Sequence, residues 1–215
     1  MKTITLIYIF ENIFNMRILL NQQAFDLFNK YNIKCLDYKA INSTADLKKI
    51  KFPIVMKISS SKIVHKTEMK AVRVTTSFAE GVKNFNQMRK YGHVVYQPFF
   101  SGRELIIGVV NDRTFGQVLM FGLGGIFTEV LKDVSFRACP ITKRDAFEMM
   151  KEIKGSMILN EFRGHKAINK DDLAEVLVKL SKLAVKENVH ELDINPYMVS
   201  EKTGLVVDAR IVLEN

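Results

Sequence analysis

FGQVLMFGLGGIFTEVLKDVSFRACPIT, residues 115–142, is the stretch whose reading decides the fold. Gly116 to Phe121 is rich in β-formers and reads as a strand, and Val134 to Ala138 reads as another. Between them Gly122, Gly124 and Gly125 allow tight turns and close backbone approach. Such a loop either turns the amides of the chain onto an anion or simply joins two strands. Glu129, Lys132, Asp133 and Arg137 then place both signs of charge within an apolar setting. Two carboxylates beside two cations suit metal and phosphate contacts, and equally suit a structural ion-pair network. Thr142 caps a helix running to about Ile153.

Working outward, the apolar spacing over residues 17–31 predicts a helix, and residues 33–40 a short strand. Ser43 caps a second helical stretch to about Ile50, and Pro53 precedes the strand IVMKI. Strand 72–75 follows, then a helix capped by Ser77 and reaching about Tyr91, then strands at 94–97 and 104–110. A long amphipathic helix covers about 170–187, and the chain closes with a hairpin, 191–199 against 205–212, turning at 201–204. Short connections make the middle strands antiparallel. Strands mixed with segregated helices give an α+β chain in two lobes, without internal repeats. Residues 1–15 form an N-terminal extension, with Met16 a candidate start; 16–95 form the first part with the small lobe, and 96–215 the C-terminal lobe. The hinge falls near residues 96–101.

Composition narrows the function classes. The 215 residues are 47% hydrophobic and 26% charged, ordinary for a globular chain and unlike disordered or collagenous ones. Lys and Arg number 32 against 23 Asp and Glu, a formal net charge of +9, which admits phosphate-bearing partners without choosing among them. The positive charges are scattered, and no aromatic-rich RNA motif accompanies them, so nucleic acid is not expected. No apolar run has the roughly 20 residues that span a bilayer, so no membrane is expected. Cys35 and Cys139 stand alone without metal-ligand spacing, which fits a reducing, cytoplasmic setting.

Three further sites carry chemistry. Lys57 lies inside the apolar strand 54–58, where an ammonium is costly unless an anion such as a nucleotide phosphate neutralises it; an edge-strand lysine reaching out to solvent is the simpler alternative. His65-Lys66-Thr67-Glu68 gathers imidazole, ammonium and carboxylate in one turn, able to accept and hold a phosphoryl group or merely to turn the chain. In the last hairpin Asn195 and Asp208 are equidistant from the turn midpoint, so antiparallel pairing sets them opposite. Their oxygens are hard donors suited to Mg²⁺, and Asp193 shares the face of Asn195 by strand alternation.

The chain from about Met16 resembles the ATP-grasp β subunit of ADP-forming acetate–CoA ligases, within the superfamily of NDP-forming acyl–CoA synthetases and succinyl–CoA ligases. The segments PIVMKIS, IVHKTE, RELIIGVVND, residues 115–142, ELDINPYMV and VVDARI carry the likeness. It implies an ATP-grasp fold whose two lobes hold ATP or ADP between them, and the reaction acyl-CoA + ADP + phosphate = acid + CoA + ATP. By resemblance, an α subunit binds CoA and makes the acyl phosphate, a histidine of that subunit takes the phosphoryl group, and the pair assembles as an α2β2 heterotetramer. His65 then matches the β-side phosphoryl acceptor, Lys57 a phosphate contact, Asn195 and Asp208 the Mg²⁺ ligands, and Asp193 the acid beside the phosphohistidine. Glu129 and Arg137 fall in catalytic segments. Tyr96, Gln97, Pro98, Phe99, Glu104, Gly124 and Gly125 fall in nucleotide-binding ones, with main-chain groups at 96–99 reading adenine. Lys70-Ala71 replaces a usual Gly-Gly pair, and Pro98 a usual acidic residue. A succinate-type ligase subunit and a degenerate nucleotide-binding regulatory subunit are the competing readings.

Overall fold

A computed structural model describes residues 16–59, 71–124, 133–162, 164 and 166–214. His65, Gly125, Glu129 and Lys132 lie outside the described residues, as does Lys70. The chain divides into two compact units, residues 36–100 and residues 16–35 with 101–214. The division assigns residues 16–35 to the unit that holds the later part of the chain. The reason lies in the first element. Where the apolar spacing predicts a helix from residue 17, the chain forms strand β1 (Met16–Leu20) and only then helix α1 (Asn21–Lys30). β1 pairs antiparallel with the last strand, β11 (Ala209–Glu214), and α1 buries Ala24, Phe25, Leu27 and Phe28.

The smaller unit is a four-stranded antiparallel sheet in the order β2-β5-β3-β4, built from β2 (Lys39–Ile41), β3 (Ile54–Ser59), β4 (Val72–Thr75) and β5 (His93–Pro98). Helix α2 (Phe78–Met88) covers one face, and Ser77 accepts a hydrogen bond from the Glu80 amide at its start. Ile54, Met56, Ile58 and Val94 pack there with Phe85, Met88, Leu47 and Ala71. The stretch after Ser43 is a single 3-10 turn, Asp46–Lys49, because the Asp46 carboxylate takes the Asn42 and Ser43 amides and draws the backbone tight.

The larger unit is a seven-stranded sheet, β1-β11-β9-β6-β7-β8, with β10 beside β9. The members not yet placed are β6 (Arg103–Asp112), β7 (Gly116–Leu123), β8 (Val134–Ala138), β9 (Val189–Val199) and β10 (Gly204–Val206). Two neighbouring rows across the strands show how it is sided. Leu19, Ile211, Leu192, Val109, Leu119 and Arg137 are successive partners in one row, and the five apolar members are buried. Helices α1, α3 (Lys143–Glu152) and α4 (Lys170–Lys186) lie on this side. The next row, Leu20, Arg210, Asp193, Gly108, Met120 and Phe136, points the other way. There Leu20 and Phe136 are about half exposed, at 45% and 51%, so within this unit the second face is open. α3 starts with a reciprocal capping box between Thr142 and Asp145, as the sequence predicts for Thr142.

Candidate functional site

The open face of the large sheet carries the hairpin residues. β9 runs antiparallel to β10 and β11, with Val206 opposite Tyr197 and Ala209 opposite Ile194. Between those pairs the Asn195 amide donates to the Asp208 carbonyl at 3.3 Å and the Val207 amide to the Pro196 carbonyl at 3.2 Å. Asn195 and Asp208 therefore face one another across the strands, as their distance from the turn midpoint predicts. Asp193 and Asn195 both reach solvent, while Leu192 and Ile194 are buried on the helix side.

The electrostatics of this corner come from three carboxylates around one guanidinium. Partial desolvation, then the Glu191 and Asp208 charges, hold the Asp193 carboxyl above the ordinary range, although its side chain still reaches solvent; Arg210 opposes the shift. Arg210 is the direct cross-strand partner of Asp193, and its Nη1 lies 3.3 Å from Glu191 Oε1. An amide oxygen and a carboxylate facing one another suit a hard cation that keeps waters and bridges to phosphate, so the donor set fits Mg²⁺. No group of three or more His, Cys, Asp and Glu side chains converges as a metal cage among the described residues.

The small sheet has an open face of its own. Ala40, Val95, Lys57 and Val72 are successive partners across its four strands. Val72 and Val74 are about half exposed there. Lys57 rises from the middle of this face on an inner strand, so the alternative of an edge-strand lysine does not hold. The Tyr96 ring packs on the other side, against the helix-covered core, leaving only its main chain for the open face. Gln97 is buried and donates through Nε2 to the Leu36 carbonyl at 2.7 Å. Pro98 has no amide proton, and the Phe99 amide is occupied by the Pro53 carbonyl at 3.1 Å. Neither position therefore offers an amide donor to a ligand. Ala71 fills the small core and is fully buried.

Other expected residues take different positions. The Arg137 guanidinium sits on the helix side of the large sheet and grips Glu152 through both terminal nitrogens, with the Ser135 hydroxyl donating to the same carboxylate at 2.6 Å. It is thus turned away from Asp193 and Asn195 and pairs with Glu152, while Glu129 and Lys132 of the same stretch lie outside the described residues. Glu152 is held below, and Arg137 above, its ordinary pKa, each chiefly by their mutual hydrogen bond. Asp133 is buried and accepts the Lys154 and Gly155 amides at 2.6 and 2.7 Å. A Cβ at Gly122 would lie 2.7 Å from the Asp133 carbonyl oxygen, and one at Gly124 would lie 3.0 Å from Glu104 backbone. These two glycines serve close strand packing, and Glu104 is exposed beside Gly124. Neither Cys35 nor Cys139 is in a disulfide, and burial pushes the Cys139 thiol up to about 11. No helix among the described residues is long and apolar enough to cross a membrane.

Comparison with known proteins gives the family of this fold. The ATP-grasp domain family matches residues 15–213, so the fold is ATP-grasp. A solved acetyl-coenzyme A synthetase 1 of Ca. Korarchaeum cryptofilum, in complex with coenzyme A and Ca-AMPCP, superposes with a TM-score of 0.83 at 33% identity, over 99% of this chain and 100% of that one. The β subunit of ADP-forming acetate–CoA ligase I of Pyrococcus furiosus is 38% identical over 92% of each chain. The chain belongs to the family of ADP-forming acetate–CoA ligase β subunits. It also matches the ADP-forming acetate–CoA ligase II of Archaeoglobus fulgidus at 38% identity, where it spans 30% of that longer protein. Sequence reasoning passed over Arg210 and Gly108. Arg210 was legible, because it stands as far from the turn midpoint as Asp193 does.

Proposed function

We propose that this chain is the nucleotide-handling β subunit of an ADP-forming acyl–CoA ligase of the acetate–CoA type, making ATP from acyl-CoA, ADP and phosphate together with a CoA-binding α subunit. The opposition of Asn195 and Asp208 on an open sheet face carries the reading. On it, these two residues hold Mg²⁺, which when bound offsets phosphate charge. Lys57, on an inner strand of the small sheet, neutralises nucleotide phosphate. The main chain at 96–99 meets the base through carbonyl acceptors. Asp193 accepts the ring N–H of the phosphorylated imidazole and so fixes its orientation.

Phosphoryl transfer needs positioning and charge neutralisation more than covalent help from the protein. An imidazole acceptor divides a transfer between distant sites into shorter steps. His65 is that acceptor on this chain, passing the group on to ADP: the N–P bond breaks as an ADP β-phosphate oxygen bonds phosphorus, and the electron pair stays on the ring nitrogen. Glu129 and Gly125 belong to the same nucleotide segment, and Glu104 is available on its exposed strand. Arg137 acts from the far face by holding β8 to α3. The assembly is α2β2 and works in the cytoplasm.

The test is ATP formation from acetyl-CoA, phosphate and Mg-ADP by the chain purified with its native partner, with His65→Ala beside it. Activity is expected for the complex, none for the chain alone, and loss in His65→Ala with nucleotide binding kept. Unchanged turnover in that variant would remove His65 from the relay.

A further inference from the structure

On the open face of the large sheet, the corner that carries Asn195 and Asp208 holds an arginine that the assigned roles do not use. Arg210 is the cation among the charges that bear on Asp193, against Glu191 and Asp208. Its row brings no second one. Arg210 is flanked by the half-exposed Leu20 on β1 and by Asp193 on β9, and the next partner, on β6, is Gly108, which has no side chain. Ala209 is buried on the helix side opposite Ile194, so Asp208 and Arg210, its two neighbours, share the open side, roughly 7 Å apart along the strand. A Mg²⁺ on Asn195 and Asp208 bridges to phosphate, which brings phosphate oxygens within the reach of an arginine so placed. The two carboxylates left off the metal, Asp193 and Glu191, repel that phosphate, and Arg210 is the group positioned to offset them. It is held lightly: one contact of 3.3 Å to Glu191, between side chains 48% and 44% exposed. Exposed pairs of this kind contribute little, so the guanidinium can leave Glu191 for a stronger anion at small cost. The terminal phosphate of a nucleoside diphosphate is such an anion, and the planar fork of arginine matches two of its oxygens.

We infer that Arg210 is a nucleotide-binding residue: it leaves Glu191 and takes the β-phosphate of the ADP whose Mg²⁺ is held by Asn195 and Asp208. The assignment rests on the metal reading of the proposed function, and the protein groups it uses all belong to the larger unit. Glu191 is then the resting partner of the guanidinium and competes with the nucleotide for it. Two effects of opposite sign follow. Loss of Arg210 weakens ADP binding, whereas loss of the Glu191 charge tightens it by freeing the fork, and the second effect needs Arg210 to be present. An arginine that merely braced the sheet against Glu191 would make both substitutions weaken the site alike.

The experiment uses the complex with its native partner, titrated by calorimetry with ADP and with AMP at saturating Mg²⁺ and without acyl-CoA, so that binding and not turnover is read. Arg210→Gln is expected to raise the Kd for Mg-ADP about 10- to 100-fold, the weight of a hydrogen bond to a charged group, and to leave that for AMP, which lacks the β-phosphate, within about twofold. Glu191→Gln is expected to lower the Kd for Mg-ADP about twofold to threefold, the weight of an exposed pair. The double variant should bind no better than Arg210→Gln alone. Arg210→Lys, which keeps the charge and loses the fork, should lie between, and it carries the test if Arg210→Gln shows no cooperative thermal unfolding. An unchanged Kd for Mg-ADP in folded Arg210→Gln overturns the assignment, and so does equal weakening of ADP and AMP, or weaker ADP binding in Glu191→Gln. Asp208→Ala is measured beside them. If it abolishes the Mg²⁺ dependence while Arg210→Gln changes nothing, the role of Arg210 alone falls. If the unsubstituted complex binds ADP equally with and without Mg²⁺, the metal reading falls and the role of Arg210 with it.

Discussion

At the scale of single residues, the pair Asn195 and Asp208 makes the sharpest demand. Replacing either with Ala removes one of two facing side-chain oxygen donors. Asp208→Ala is expected to weaken Mg-ADP binding at least tenfold while ADP binding without Mg²⁺ changes little, as read by calorimetry with and without the cation; equal weakening in both would remove the residue from the metal site. The stretch at 96–99, proposed to meet the base, makes a second demand. With no amide at Pro98 and the Phe99 amide committed to Pro53, the main chain offers acceptors there. Acceptors favour the 6-amino group of adenine over the 6-oxo group of guanine, so GDP is expected to bind at least tenfold more weakly than ADP in a direct competition. The cross-strand opposition was legible because the turn midpoint is visible in ELDINPYMVSEKTGLVVDARI. The orientation of Arg137 was not: alternation says that it opposes Phe136, but only the pairing of β8 with β7 says which of the two faces the helices.

At the scale of elements, the hairpin that presents the site depends on one close approach. Gly204 of β10 lies against buried Tyr197 of β9, and a Cβ there would come within 2.1 Å of the phenol oxygen. Gly204→Ala should therefore cost about 1–3 kcal/mol in urea unfolding, as overpacked cores do. It should also lower Mg-ADP affinity by shifting Asp208 against Asn195; an unchanged Tm would contradict the close contact. Helix α3 gives a second case. Its capping box predicts a loss of about 1 kcal/mol in Thr142→Ala. The Glu152 carboxyl is held below its unfolded value by Arg137 and Ser135, so its contribution is complete above the ordinary carboxylate range and is lost as pH falls through the lowered one. Glu152→Gln should flatten the decline of Tm between about pH 5 and pH 3. Caps and amphipathic helices were plain in the sequence because each is a local pattern. β1 was missed because the apolar residues of MRILL continue the helical spacing of residues 21–31, and only its distant partner β11 makes it a strand.

For the whole molecule, the proposed nucleotide site ties binding to stability. Bound nucleotide should therefore raise stability markedly. At a free concentration 100 times Kd, Mg-ADP is expected to add about 2.7 kcal/mol by mass action, and Asp208→Ala, binding at least tenfold more weakly, should lose about half of this gain or more at the same concentrations. The α+β class and the two units were legible from the order of elements, whereas the assignment of residues 16–35 to the larger unit was not, since sequence order says nothing about which sheet a first strand completes. That strand has a wider consequence. Met16 stands directly opposite Glu214 in the ladder, so both ends of the described chain leave the same corner of one sheet. A domain fused at either end is tethered at nearly the same point and disturbs no internal strand order. The unit can thus be carried either as a polypeptide of its own or as one segment of a longer one, as among its relatives, and a circular permutant joined across that corner should keep the same sheet.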